Sequence, residues 1–211
     1  MALRICTGRE TILTSPPHLP AGYHTLAPGQ LANVVTCLEM RERPAGVAAP
    51  GLDLKRFTAA DTADFRALFA AIGHDWMWFS RLVMSDAALQ RILGDPAVHC
   101  FALMQQGKAA GLLELDFRAS GDCELAFFGL VPSAIGGGLG RKLMEEAIIR
   151  AWAEPISRFW VHTCSFDHPQ ALAFYRRAGF TPYAMMVEVH DDPRLSGHLP
   201  ETAAPQVPLL A

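Results

Sequence analysis

Between residues 52 and 190 the apolar positions alternate between a period of two and a period near 3.6, and each switch marks an element. Leu52 to Phe57 reads as a short strand. Phe65, Leu68, Phe69 and Ile72 recur at helical spacing behind Asp61 or Thr62, either of which suits a cap, and Gly73 ends that helix. The aromatic stretch Trp76-Met77-Trp78-Phe79 leads to a second helix, capped by Ser85, carrying Leu89, Ile92 and Leu93, and stopped by Gly94-Asp95-Pro96. Three strand-like runs follow: Val98 to Gln105, Ala110 to Phe117 and Cys123 to Val131. The short glycine-bearing connections between them, Gln106-Gly107-Lys108 and Ala119-Ser120-Gly121-Asp122, predict an antiparallel meander. A helix from about Gly138 to Trp152, a strand from Arg158 to Cys164, a helix from Pro169 to Ala178 and a last strand near Tyr183 to His190 complete the series. The order β-α-α-β-β-β-α-β-α-β predicts a mixed α+β sheet and not a doubly wound parallel one.

Residues 1–51 break this pattern. Turn formers cluster at Ser15-Pro16-Pro17, Leu19-Pro20-Ala21-Gly22, Pro28-Gly29, Pro44 and Pro50-Gly51 around one β-like stretch, Leu31 to Met40. This part reads as an N-terminal extension that either adds strand to the sheet or forms a loosely attached arm. Residues 52–197 then form the main domain. Residues 198–211, with Pro200, Pro205 and Pro208 and no periodicity, read as an irregular C-terminal tail.

Composition narrows the class. Hydrophobic residues are 51% and charged residues 18% of the 211, a globular composition. The net charge of -3 gives no long-range attraction to phosphate backbones or anionic lipid, so neither nucleic acid nor membrane is expected as a partner. Cys6, Cys37, Cys100, Cys123 and Cys164 are odd in number and include no C-x-x-C pair, so no disulfide framework and no metal are expected. The start of the chain turns polar too soon for a signal peptide, and no apolar run reaches the roughly 18 residues of a membrane span. A soluble cytoplasmic protein is expected.

The candidate chemistry begins at Leu130-Val131-Pro132-Ser133-Ala134-Ile135-Gly136-Gly137-Gly138-Leu139-Gly140-Arg141. A strand runs into glycines that open a helix, so free backbone N–H groups can face an anion while the missing side chains let it approach. The same glycines also suit a plain tight turn or a close approach of helix to strand. Two nucleotide-binding patterns fail on spacing. G-x-G-x-x-G needs glycine where Arg141 stands, and a Walker A loop needs Gly-Lys-Ser/Thr where Arg141, Lys142 and Leu143 stand.

A second segment, His168-Pro169-Gln170-Ala171-Leu172-Ala173-Phe174-Tyr175-Arg176-Arg177-Ala178-Gly179-Phe180, follows one strand later. Together the two resemble the GNAT superfamily of N-acetyltransferases, whose acyl-CoA motif has the form R/Q-x-x-G-x-G/A and whose next helix commonly reads N-x-x-A-x-x-x-Y-x-x-x-G-F. Ile135 replaces the usual Arg or Gln, and His168 replaces Asn. The resemblance implies a GNAT-like α+β fold: a mixed, mostly antiparallel twisted sheet flanked by helices in three α/β/α layers. It implies an acyl-CoA-dependent N-acyltransferase that moves the acetyl group of acetyl-CoA to an amine of a small molecule or peptide. A non-catalytic coenzyme A-binding module of the same fold is the alternative, and a homodimer is compatible with either. The resemblance further implies that the backbone near Leu130 and Val131 pairs with the pantetheine arm. It gives Ile135, Gly136, Gly137, Gly138, Leu139, Gly140 and Arg141 to the diphosphate, His168 to the pantetheine or the substrate, and Tyr175 to protonation of the coenzyme A sulfur.

Acyl transfer to an amine also needs a base, since an alkyl ammonium with a pKa near about 10.4 is mostly protonated at neutral pH. Glu124, on the strand before the glycine turn, is the candidate general base; Glu114, Asp116 and His162 on neighbouring strands compete with it. Asp167, three residues before Gln170, reads as half of a capping box for the tyrosine helix. Cys164 reads as a small hydrophobe in preference to a nucleophile. Most of Trp76-Met77-Trp78-Phe79 reads as core packing beside the acceptor site.

Overall fold

A computed structural model of the protein describes residues 18–210. Cys6, the polar start of the chain and the Ser15-Pro16-Pro17 turn lie outside the described residues. The elements are β1 (Gln30–Met40), β2 (Leu54–Arg56), α1 (Thr62–Gly73), α2 (Asp86–Leu93), β3 (Val98–Gln105), β4 (Lys108–Asp116), β5 (Asp122–Leu130), α3 (Leu139–Ala151), β6 (Arg158–Cys164), α4 (Ala171–Arg177) and β7 (Thr181–Asp191). They form one seven-stranded sheet in the order β2-β3-β4-β5-β6-β1-β7. Among the described strand pairs only β5 with β6 is parallel.

Local chemistry sets the boundaries. Gln106 and Gly107 take φ of 51° and 75°, the left-handed pair that a two-residue hairpin between β3 and β4 requires. Ser85 caps α2 by accepting a hydrogen bond from the Ala88 N–H. Asp61 precedes α1 without capping it, because its carboxylate is engaged by Thr58, through both the backbone N–H and the hydroxyl. The capping box expected before α4 is absent. The helix begins at Ala171, its N-cap Gln170 makes no side-chain cap bond, and Asp167 instead accepts from Thr163 Oγ1 at 2.8 Å and the Cys164 N–H at 2.9 Å. The carboxylate closes the turn at the end of β6, which keeps it from reaching forward to the helix.

The sheet has a core on each face. On one side α3 and α4 bury Leu143, Met144, Ala147, Ile148 and Tyr175 against Leu38, Leu113, Leu115, Leu125, Phe159 and Val161. On the other, α1 and α2 bury Phe65, Leu68, Phe69, Ile72, Leu89 and Leu93 against Cys100, Ala102 and Leu112. Each large side chain fully removed from water contributes about 1.5–3 kcal/mol, so the two helix pairs hold the sheet from both faces in three layers.

The first and last strands meet. β1 lies between β6 and β7 and pairs antiparallel with both, with Asn33 opposite Glu188 and Cys37 opposite His162. Beyond β7 the described residues form no helix or strand, yet they pack. Leu199, Ala203, Ala204 and Val207 bury with Leu31 and Met77, and the Arg194 guanidinium, held by Asp192, donates to the carbonyls of Ala203, Val207 and Pro208. Among the described residues no helix is long and apolar enough to cross a membrane.

Candidate active site

The parallel ladder is short. β5 pairs with β6 only at Asp122, Glu124 and the residue between them, opposite Arg158 to Trp160, although β5 runs on to Leu130 and β6 to Cys164. Past Glu124 the two strands separate, and their facing main-chain N–H and C=O groups are left without a neighbouring strand. A bulge helps to start the separation: Glu114 opposes Phe127 while Leu115 opposes Leu125, so Ala126 is an extra residue on β5.

A cleft of about 1060 Å³ passes through this gap. It is lined from the α3/α4 side by Leu130, Ala171 and Tyr175, and from the other side by Glu124, Phe127, His162, Trp78 and Arg81. The Trp76–Phe79 stretch forms one wall. Met77 is buried, Trp78 packs on Phe69 and Phe127 at 5.3 Å, and the Trp78 indole N–H reaches Asp167 Oδ1 at 3.4 Å.

At one end stands the glycine turn. Gly136 and Gly138 have φ of 102° and 75°, and a Cβ built at Gly136, Gly137 or Gly138 would meet nothing within 4 Å. Gly138 precedes the first turn of α3, whose initial amides, those of Leu139, Gly140 and Arg141, have no carbonyl one turn earlier to accept them. Open space, left-handed glycines and free amides make this turn a fit for a diphosphate. The turn adjoins the cleft through Leu130 and Ile135, which line it; the Ile135 side chain is exposed, as is Arg141, paired with Glu145 at 2.7 Å. Val131 packs toward the α1/α2 core, donating its N–H to Ala110 and accepting from Ala134.

Tyr175 is buried from α4 between Phe128, Phe174 and Phe180, and its hydroxyl makes no hydrogen bond to another described residue. Burial raises its pKa, with the Asp167 charge adding to the rise, so the phenol keeps its proton. His168 is exposed at the rim, edge-on to Trp76 at 5.0 Å, and its Nδ1 accepts from the Gln170 N–H.

The competing acids separate by their partners. Glu114 is fully buried and bound to Arg81 at 2.5 Å; Asp116 is bound to Arg118. Glu124 has no such arginine. Its nearest ionisable contact is His162 Nδ1 at 3.7 Å, too long for a hydrogen bond. Burial first, then the Asp116 and Glu114 charges, push the Glu124 carboxyl up to about 8. The same burial lowers the pKa of His162, leaving it a neutral imidazole. Cys164 is pushed up to about 12 by burial, which leaves it a thiol at neutral pH. Among the described residues no cluster of three His, Cys, Asp or Glu side chains could hold a metal ion.

Sequence reading had passed over Asn33, Glu188 and Arg81, all of which line the cleft. Asn33 carried a signal, as a polar side chain set between Leu31 and Val35 on one buried face of β1.

Comparison with known proteins gives the same picture. No curated protein matches the chain. Among solved structures, a GNAT-family protein from Novosphingobium aromaticivorans superposes with a TM-score of 0.55 at 17% identity, over 78% of this chain and 68% of that one. A GCN5-related N-acetyltransferase from Sphaerobacter thermophilus gives 0.53 at 16%, over 78% of this chain and 52% of that one, so this chain spans about half of its length. An acetyltransferase from Thermus thermophilus gives 0.50 at 22%, over 68% and 98%. At these identities the likeness is one of fold. The acetyltransferase (GNAT) family itself matches residues 65–180, the span from α1 through the glycine turn to the end of the tyrosine helix. That span is more than half of the chain, and the protein belongs to the GNAT acetyltransferase family.

Proposed function

We propose that the protein transfers the acetyl group of acetyl-CoA directly to an amine of a small molecule or peptide. The observation that carries this reading is the cleft through the splayed β5–β6 pair, which puts Tyr175 on one side of the gap and Glu124 on the other, beside a glycine turn open to an anion. The amides of Gly136 to Arg141 would hold the diphosphate, and the unpaired edge of β5 up to Leu130 would hold the pantetheine. The bound thioester supplies the acyl carbon.

Glu124 takes the proton of the attacking amine. The C–N bond forms as the C–S bond breaks, and Tyr175 hands its proton to the leaving sulfur, so two protons move and charge is conserved. A base with a pKa near 8 is well matched to this task, because it is partly ionised at neutral pH yet basic enough to accept a proton.

Coenzyme A release, followed with a thiol reagent over a panel of amines, tests the reading. Tyr175→Phe is expected to lower kcat by about 10- to 100-fold, while calorimetry shows coenzyme A affinity unchanged. Full activity in this variant removes Tyr175 from the role of acid. Coenzyme A binding with no release on any amine would leave the protein a binding module.

A further inference from the structure

The end of the cleft farthest along β1 carries acceptors and no cationic partner. Asn33 is 3% exposed and lines the cleft; its Nδ2 donates to Glu188 Oε2 at 3.0 Å, while its buried Oδ1 has no hydrogen-bond partner. That orientation is fixed, since a flipped amide would set Oδ1 against the Glu188 carboxylate. An unpartnered buried carbonyl costs stability unless a donor reaches it. Glu188 makes no ion pair with any described residue, and the two arginines of the cleft, Arg81 and Arg118, are taken by Glu114 and Asp116. Phe79 lies 5.0 Å from the His190 ring and Phe166 lies 6.3 Å from it, and all three line the cleft beside Glu188. A carboxylate, a free amide oxygen and aromatic faces suit an ammonium and repel a phosphate, so this end does not serve the diphosphate.

We infer that Asn33 and Glu188 form a subsite for a second, distal ammonium group of the acceptor, making the preferred substrates extended diamines or polyamines. The inference rests on the acetyl-transfer reading above. Register gives the length. His162, which meets Glu124, stands opposite Cys37, and Asn33 lies four residues from Cys37 along β1, a distance of about 13 Å at ~3.3 Å per residue. A linear polyamine can span that distance with its reacting nitrogen at Glu124; a short monoamine cannot reach both places.

Steady-state kinetics with butylamine, putrescine, spermidine and spermine, and with a short lysine-bearing peptide as a separate arm, test the proposal. Spermidine or spermine should exceed butylamine in kcat/KM by about 10- to 100-fold, the worth of hydrogen bonds to a charged group. In Glu188→Gln, isosteric and least disruptive to β7, that preference should shrink toward unity, mostly through KM; Asn33→Ala should act in the same direction. A preference confined to the peptide would assign the subsite to a basic side chain of a peptide and overturn the polyamine assignment. A preference that survives in Glu188→Gln, or none in the wild type, overturns the subsite. If no amine is acetylated, the transfer reading fails, and calorimetry still decides the subsite. Spermine should bind the wild-type protein and bind Glu188→Gln about tenfold more weakly or worse; equal binding sinks it.

Discussion

Three carboxylates stand near one another on the β4–β5 ladder, and what separates them is their partners. Glu114 and Asp116 are each held by an arginine, whereas Glu124 is half-buried beside a neutral imidazole and keeps its proton up to about 8. Glu124→Gln is therefore expected to lower kcat/KM by about 10²–10⁴ and to abolish a limb of the pH–rate profile that rises through about 8. A profile unchanged by the substitution would move the base elsewhere. Stability gives an independent reading. The carboxyl is raised from 4.5 to about 8 on folding, so between those values the native state binds more protons than the unfolded one. Stability is then fully present below the lower value and is lost as pH rises through the upper one. Glu124→Gln should melt above the wild type at about pH 9 and together with it below about pH 4. The position of Glu124 on a strand was legible from alternation. Its singularity was not, because Arg81 reaches Glu114 from the loop after α1, a contact no periodicity records.

At the scale of elements, the glycine turn and the α3 start act through backbone shape. Gly138 holds φ of 75° with open space where a Cβ would be, so Gly138→Ala meets no clash and suffers only the left-handed penalty, about 1–2 kcal/mol. Relief of that strain rotates the first amides of α3 away from the anion. Coenzyme A should bind Gly138→Ala about tenfold more weakly, while Ile135→Ala, at a side chain 57% exposed, should stay within about twofold. Calorimetry on both variants decides; the reverse order would mean that the side chain at 135, and not the amides, carries the affinity. The run of glycines between a strand and a helix located this turn in the sequence, while the resemblance to GNAT sequences supplied its expected use. The start of α4, by contrast, misled. Asp167 and Gln170 have the right separation for a capping box, but Thr163 and the Cys164 N–H, at the end of β6, claim the carboxylate first.

Across the described residues, β1, β7 and the segment after β7 meet at the end of the cleft that Asn33, Glu188 and Met77 line. β1 inserts between β6 and β7, and the segment after β7 returns to cover Met77, next to the aromatic wall. The helix and strand order from β2 to β7 followed from apolar periodicity, but this closure did not. A buried arginine organises its polar part: Arg194 is 4% exposed, pairs with the buried Asp192, and gathers three carbonyls from residues 203–208. The Ala204 N–H then reaches His74 O, and Gln206 reaches Asp75 O, so the segment is tied to the loop that carries Trp76 and Trp78. Prolines and a lack of period conceal such an arrangement, since one guanidinium organises its polar part. Arg194→Ala strands the Asp192 carboxylate in the interior and frees three carbonyls, a loss of about 3–5 kcal/mol for the local unit. The expected result is cleavage after β7 under limited proteolysis. A raised KM for the amine should accompany it, with coenzyme A affinity retained, because the glycine turn lies on the far side of the sheet's gap. Arg194→Lys keeps the charge but not the fork that reaches several carbonyls at once, so it should recover only part of the protection. If Arg194→Ala resists proteolysis as the wild type does, the segment is held by its apolar contacts with Leu31 and Met77 instead, and the same assay on Val207→Ser would then show the loss.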